Sequence, residues 1–86
     1  MEVILHKNFK KKLKKLSPKI KQKYFERVLL FMNDKFNPIL NNHSVDPIYP
    51  GYWSINITGD IRVLYEEKNT NCVIFMKIGT HSELYK

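Results

Sequence analysis

Three histidines, His6, His43 and His81, are the side chains best suited to moving a proton near neutral pH. His81 has the most informative surroundings. Gly79-Thr80-His81 follows the most apolar stretch of the chain, Cys72–Ile78, so its imidazole stands at a sheet edge with defined geometry. Tyr85 comes four residues later, and one short helical turn brings it to the same side. Asp60 and Arg62 lie two apart in an alternating segment and share a face. Their ordinary role is a cross-strand ion pair worth under ~1 kcal/mol. His43 lies in a proline-rich loop, where a single histidine is most often just solvated, and His6 reads as structural or surface. No serine or cysteine pairs with a histidine as a nucleophile. No Gly-rich phosphate loop, HExxH, nucleophile elbow or EF-hand is present. Three scattered histidines with Asp60 have no metal-ligand spacing, so neither metal nor cofactor is expected.

The remaining charge is concentrated. Residues 1–43 hold ten Lys and one Arg against three acids, whereas residues 44–86 are close to balance. Nine lysines and no acid fall within Lys7–Lys23, including Lys10, Lys11, Lys14 and Lys15. Solvated faces normally mix signs, so this run points to an anionic partner. A polyphosphate backbone and an acidic peptide both fit its field, which reaches ~8–10 Å from the surface.

These side chains need elements to hold them. Val3, Ile4 and Leu5 suit an N-terminal strand. Asn8 is the expected N-cap of a helix carrying Phe9, Leu13 and Leu16 on one side. Ser17-Pro18 closes it and opens a second helix, whose inner stripe is expected to be Ile20, Tyr24, Val28, Phe31 and Met32, ending near Asp34. The result is a helical hairpin with an apolar inside and a lysine-coated outside. A loop with three prolines follows from Asn37 to Pro50, with one turn expected at Pro38–Leu40. Gly51–Ile57 and Asp60–Glu66 alternate as strands across a tight turn at Thr58-Gly59. A polar turn over residues 68–71 leads to Cys72–Ile78, which Gly79 is expected to break, and a short tail to Lys86. The class is α+β in the order β-α-α-β-β-β, a helical hairpin packed on a mainly antiparallel four-stranded sheet, in one domain over residues 1–86. The chain shows no membrane span and no signal peptide, and its one cysteine, Cys72, suits a reducing cytoplasm.

Three segments carry a resemblance: Phe9-Lys10-Lys11-Lys12-Leu13-Lys14-Lys15-Leu16, the block from Gly51 through Tyr65, and the ending Ile78-Gly79-Thr80-His81-Ser82-Glu83-Leu84-Tyr85. From Lys7 onward the chain resembles the RelE/YafQ branch of bacterial toxins from type II toxin–antitoxin modules. The last two segments are the specific ones, and the family's β-α-α-β-β-β order agrees with the pattern above. The resemblance implies an endoribonuclease that cuts mRNA on the ribosome and so inhibits translation. It also implies a cognate antitoxin, acidic or amphipathic and encoded nearby. His81 occupies the position of a catalytic histidine in YafQ-like members, as general acid. Tyr85 matches the family's C-terminal aromatic, Asp60 a carboxylate in acid/base work, and His43 a histidine eight residues before the Gly-Tyr of the second strand. Arg62 matches the arginine that RelE-like members set at the scissile phosphate, and Lys10, Lys11, Lys14 and Lys15 would grip RNA phosphates. The chain departs from both subgroups at Asn56, where YafQ-like members have a histidine and RelE-like members a lysine. RelE-like members also have a lysine in place of Ser54. Asn56 can hydrogen-bond RNA but cannot take a proton. A ParE-type toxin acting on DNA gyrase by binding is the alternative, or a catalytically weak member working through antitoxin and nucleic-acid binding.

Overall fold

In a computed structural model the described residues are 1–85, and Lys86, the end of the expected tail, lies outside them. The elements are β1 (Glu2–Leu5), α1 (Lys7–Lys14), α2 (Pro18–Asn33), a 3-10 turn (Pro38–Leu40), β2 (His43–Ser44), β3 (Tyr52–Asn56), β4 (Ile61–Asn69), β5 (Cys72–Thr80) and α3 (His81–Leu84).

Local chemistry sets the helix starts. The α1 cap is His6 rather than Asn8: its Nδ1 accepts from the Asn8 backbone N–H at 3.1 Å, so the helix begins at Lys7. Ser17 caps α2 as expected, its Oγ accepting from the Ile20 N–H at 3.3 Å with Pro18 in the first turn.

The sheet has five strands, not four, in the order β1-β5-β4-β3-β2. β1 runs parallel to β5 and the other pairs are antiparallel. The added strand is only the pair His43–Ser44 against Ser54 and Trp53, too short to leave an alternating pattern in the sequence. Two boundaries also move. β4 continues to Asn69, and β5 runs through Gly79 to Thr80 because Gly79 pairs with Arg62 in the ladder.

One face of the sheet carries the main core. Phe9, Tyr24 and Phe31 of the helices pack on Ile55, Ile57, Val63, Tyr65, Val73, Phe75 and Ile78. Phe75 is the hub, its ring centroid 5.6 Å from Phe9, 5.7 Å from Phe31 and 6.2 Å from Tyr65. Phe75 and Ile78 are three apart, so a regular strand would send them to opposite faces. The ladder steps from Leu64↔Lys77 to Tyr65↔Phe75, leaving Met76 as the extra residue of a bulge. That bulge lets both Phe75 and Ile78 face the helices.

The α2 stripe differs at two positions. Tyr24, Val28 and Phe31 pack into the sheet-side core, Ile20 is half-buried outside that cluster, and Met32 is 43% exposed. Met32 lies instead on the outer surface with Phe25 and Leu29, so the outside of the hairpin is not wholly lysine.

Candidate active site

The other face of the sheet is open except where α3 folds back over it. Residues opposite one another on neighbouring strands point to the same side. The ladder therefore builds two rows there, His43–Ser54–Leu64–Lys77 and Asn56–Arg62–Gly79. A small second core lies on this face: Val45, Leu64 and Leu84 are buried together, flanked by Tyr49, Tyr52 and Tyr85. Leu84 thus pins α3 to the sheet.

Four further contacts fix α3. Thr80 Oγ1 accepts from the Glu83 N–H at 3.1 Å, while Glu83 Oε1 accepts from the Thr80 N–H at 2.8 Å, a complete capping box. Glu83 Oε2 also takes Lys12 Nζ of α1 at 3.1 Å, tying the tail to the helix layer. The Thr80 backbone N–H first, and the Lys12 ammonium next, hold the Glu83 carboxyl down from 4.5 to about 2. Gly79 makes room for this carboxylate, since a Cβ there would lie 3.1 Å from Glu83 Oε1. The Tyr49 hydroxyl donates to the Leu84 carbonyl oxygen.

The clamped turn presents His81 to solvent. Its backbone N–H donates to the Asp60 carbonyl oxygen at 3.2 Å, and its ring lies 4.7 Å from that of Tyr85 at 38°. Tyr85 in turn meets Tyr49 edge-on at 5.9 Å, and Tyr49 stacks on Tyr52 at 5.7 Å. Burial pushes the Tyr85 hydroxyl up from its ordinary value, and the nearby Arg62 charge pulls it partly back.

Arg62 and Asp60 do not form the ion pair their spacing suggests. Asp60 belongs to the turn before β4, and Arg62 Nη1 donates to the carbonyl oxygens of Thr58 (3.2 Å) and Gly59 (2.9 Å) instead. Those bonds use the two protons of Nη1, leaving Nη2 and Nε free to meet an anion. Beside Arg62 in the ladder, Asn56 Oδ1 is buried without a hydrogen-bond partner, an acceptor facing no donor.

His43 is exposed on β2, with Nδ1 2.7 Å from the Asn41 carbonyl oxygen. A carbonyl has no proton to give, so Nδ1 carries the hydrogen and Nε2 is the basic nitrogen. Strand spacing of ~4.8 Å and a rise of ~3.3 Å per residue put the His43 and Arg62 backbones roughly 12 Å apart. The structure therefore brings together His81, Tyr85, Asp60 and Arg62, with Asn56 in the same row, and sets His43 at the far side of the face. Lys10, Lys11 and Lys14 of α1 and its C-cap Lys15 are exposed, in the helix layer behind the sheet. A cavity of about 390 Å³ lies between α1, β5 and α3, walled by His6, Lys12, Lys77 and Glu83 among others. His81 is not part of its lining, and Asn56 lines a second cavity of about 340 Å³ with Lys23 and Arg27 of α2.

The sequence assigned no site role to Lys12, Lys77 or Glu83, and marked Tyr49 only as a titratable neighbour. Of these, Glu83 left a signal, the Thr80-x-x-Glu83 spacing of a capping box. Among the described residues no three His, Cys, Asp or Glu side chains gather to hold a metal ion, and no helix is long and apolar enough to cross a membrane.

Comparison with known proteins agrees with this architecture. No curated protein matches the chain. Crystal structures do: YafQ from E. coli strain BL21(DE3) superposes with a TM-score of 0.81 at 18% identity, over 99% of this chain and 98% of that one. The toxin–antitoxin complex DinJ–YafQ of E. coli gives 0.78 at 18% identity, covering 99% and 97%. RelB–RelE, an antitoxin–toxin complex from Methanococcus jannaschii, gives 0.74 at 22% identity, covering 95% and 94%. These likenesses establish the fold. The family model described as "Bacterial toxin of type II toxin-antitoxin system, YafQ" matches residues 1–86, the whole chain. The chain therefore belongs to the YafQ family of bacterial type II toxins.

Proposed function

We propose that this toxin is an endoribonuclease that cuts mRNA on the ribosome in the cytoplasm, acting as one domain over residues 1–86. The observation that carries the reading is the exposed His81 imidazole, its ring 4.7 Å from that of Tyr85 and tilted by 38°, on the turn that follows the strand whose Gly79 pairs with Arg62. Cleavage needs the ribose 2′-hydroxyl to attack the adjacent phosphorus, with a base to take its proton. A cation must steady the phosphorane, and an acid must protonate the departing 5′-oxygen. His81 is the general acid. The free Nη2 and Nε protons of Arg62 bind the non-bridging phosphate oxygens. Asp60, whose backbone meets that of His81, is the nearer base. His43 offers Nε2 to RNA further along the face. Tyr85 stacks against a base, and the unpartnered Asn56 Oδ1 accepts a hydrogen bond from the RNA. Lys10, Lys11, Lys14 and Lys15 supply attraction to rRNA phosphates.

The test is His81→Ala in a purified translation reaction, scored by primer extension on the mRNA. Because His81 is exposed, the variant should melt like the wild type while cleavage falls by ~10²–10⁴-fold. Wild-type cleavage by a folded His81→Ala protein would remove the assignment.

A further inference from the structure

Strand β1 stops at Leu5, opposite Phe75, whereas β5 runs on to Thr80. β1 is the neighbour of β5 on that side, so among the described residues the β5 edge beyond Phe75 has no partner strand. The cavity of about 390 Å³ opens along this unpaired stretch, between α1 and α3. Its size falls within the ~300–1,000 Å³ of small-molecule sites. Its lining holds none of His81, Arg62 and Asp60.

The lining divides by chemistry. Tyr52, Met76 and Leu84 give it an apolar wall. The Tyr52 ring, already stacked on that of Tyr49, makes that wall aromatic, and Met76 is the adaptable side chain at the bulge. Cationic and polar donors line it too. His6 uses Nδ1 to accept from the Asn8 N–H, so its Nε2 carries the hydrogen. Lys77 is exposed and enters none of the ion pairs among the described residues. Lys12 keeps protons beyond the one that meets Glu83. The bare edge of β5 adds backbone N–H and C=O groups that can read the polar rim of a base. An inorganic anion would leave the aromatic wall unused, and an acyl chain would leave Lys77 unmet. A nucleotide meets both, with a flat ring for the wall and a phosphate for the cations.

We propose that this cavity binds one nucleoside monophosphate unit, its base against Tyr52 and Met76 and its phosphate at Lys77 and His6. The unit comes from the RNA being cut or from a free nucleotide. For RNA the inference rests on the proposed cleavage. Glu83 of the cavity and His81 share one four-residue turn, so a strand whose scissile phosphate meets His81 brings a neighbouring nucleotide to the cavity. The base held there then sets a sequence preference at a fixed distance from the cut.

The experiment titrates the full toxin with the four nucleoside 5′-monophosphates, with inorganic phosphate and with 2′-O-methyl RNA hexamers, which offer no 2′-hydroxyl to attack. Binding is read from the NMR shifts of the Met76 and Lys77 amides, with Val73 in the helix-side core as the reference. Nucleotide or hexamer should move the first two and leave Val73 in place. Lys77→Glu should weaken binding at least about tenfold, because it turns attraction for phosphate into repulsion. Met76→Trp, which fills the cavity, should abolish the shifts. Circular dichroism confirms that each variant is folded, and the exposed Lys77→Glu carries the test if Met76→Trp is not. Hexamer binding without mononucleotide binding assigns the site to RNA. Mononucleotides that bind as tightly as the hexamers assign it to a free nucleotide. No shift with any nucleotide would overturn the proposal, and equal shifts with phosphate alone would overturn its base wall. No probe here can be cut, so the two readings fail separately. A toxin that binds these probes and never cleaves RNA would refute only the enzyme, and one that cleaves through His81 without these shifts would refute only this site.

Discussion

Leu84→Ala tests whether α3 is a separately anchored platform for His81. Leu84 is 8% exposed and packs on Leu64 and Val45, on the sheet face away from the main core. Removing a buried leucine side chain costs ~2–5 kcal/mol, and the low end applies where neighbours can close the gap. Tyr49, Tyr52 and Tyr85 around it are only partly buried and can move, so about 2.5 kcal/mol is the reasoned loss. At 1.4 kcal/mol per factor of ten, α3 undocks about sixtyfold more often. The Tyr85 amide reports this directly, since its N–H is held by the His81 carbonyl oxygen at 3.0 Å and is released when the turn opens. Native-state hydrogen exchange should therefore show the Tyr85 amide speeding up by about sixtyfold. The ladder amides of Val73 and Phe75, protected by the helix-side core, should change much less. RNA cleavage should fall with the docked fraction. Equal acceleration of the core amides and Tyr85 would refute the reasoning, because Leu84 would then belong to one cooperative core. An unchanged Tyr85 amide would refute it equally.

Two further outcomes follow from the site. Arg62→Lys puts a single ammonium where the guanidinium fork now holds the Thr58 and Gly59 carbonyls through Nη1. Cleavage should drop at least tenfold with little change in urea midpoint, and wild-type cleavage would show that the fork is dispensable. The Glu83 anchor sets an acid limit on the tail. Its carboxyl is held down from 4.5 to about 2, so the stabilisation is complete above pH 4.5 and is lost as pH falls toward 2. The Tyr85 ring signals in NMR should keep their positions to below pH 4 and move with a midpoint near 2. A midpoint at an ordinary glutamate value would mean that the Lys12 and Thr80 contacts do not hold it.

The sequence alone determined the class of the fold and the kinds of side chain available for chemistry. Periodicity is a local property. The spacing of Phe9, Leu13 and Leu16, the Ser17-Pro18 start and the alternation through Trp53, Ile55 and Ile57 each act within a few residues, so helices and strands could be read from them. The exposed His81 beside Tyr85 was legible for the same reason, since one helical turn fixes their relation.

Tertiary structure decided what depends on residues far apart in the chain. The pairing of His43 with Ser54 made a fifth strand, and the bulge at Met76 changed the parity of β5, so that Phe75 and Ile78 share one core. Met32 turned outward because the sheet is met by the Tyr24 and Phe31 side of α2. Lys12 reached Glu83 across 71 residues of sequence, and Arg62 turned to the Thr58 and Gly59 carbonyls rather than to Asp60. Side-chain spacing says which residues share a face of one element. Strand register and packing between elements decide which faces meet, and those terms contain contacts that no local pattern carries.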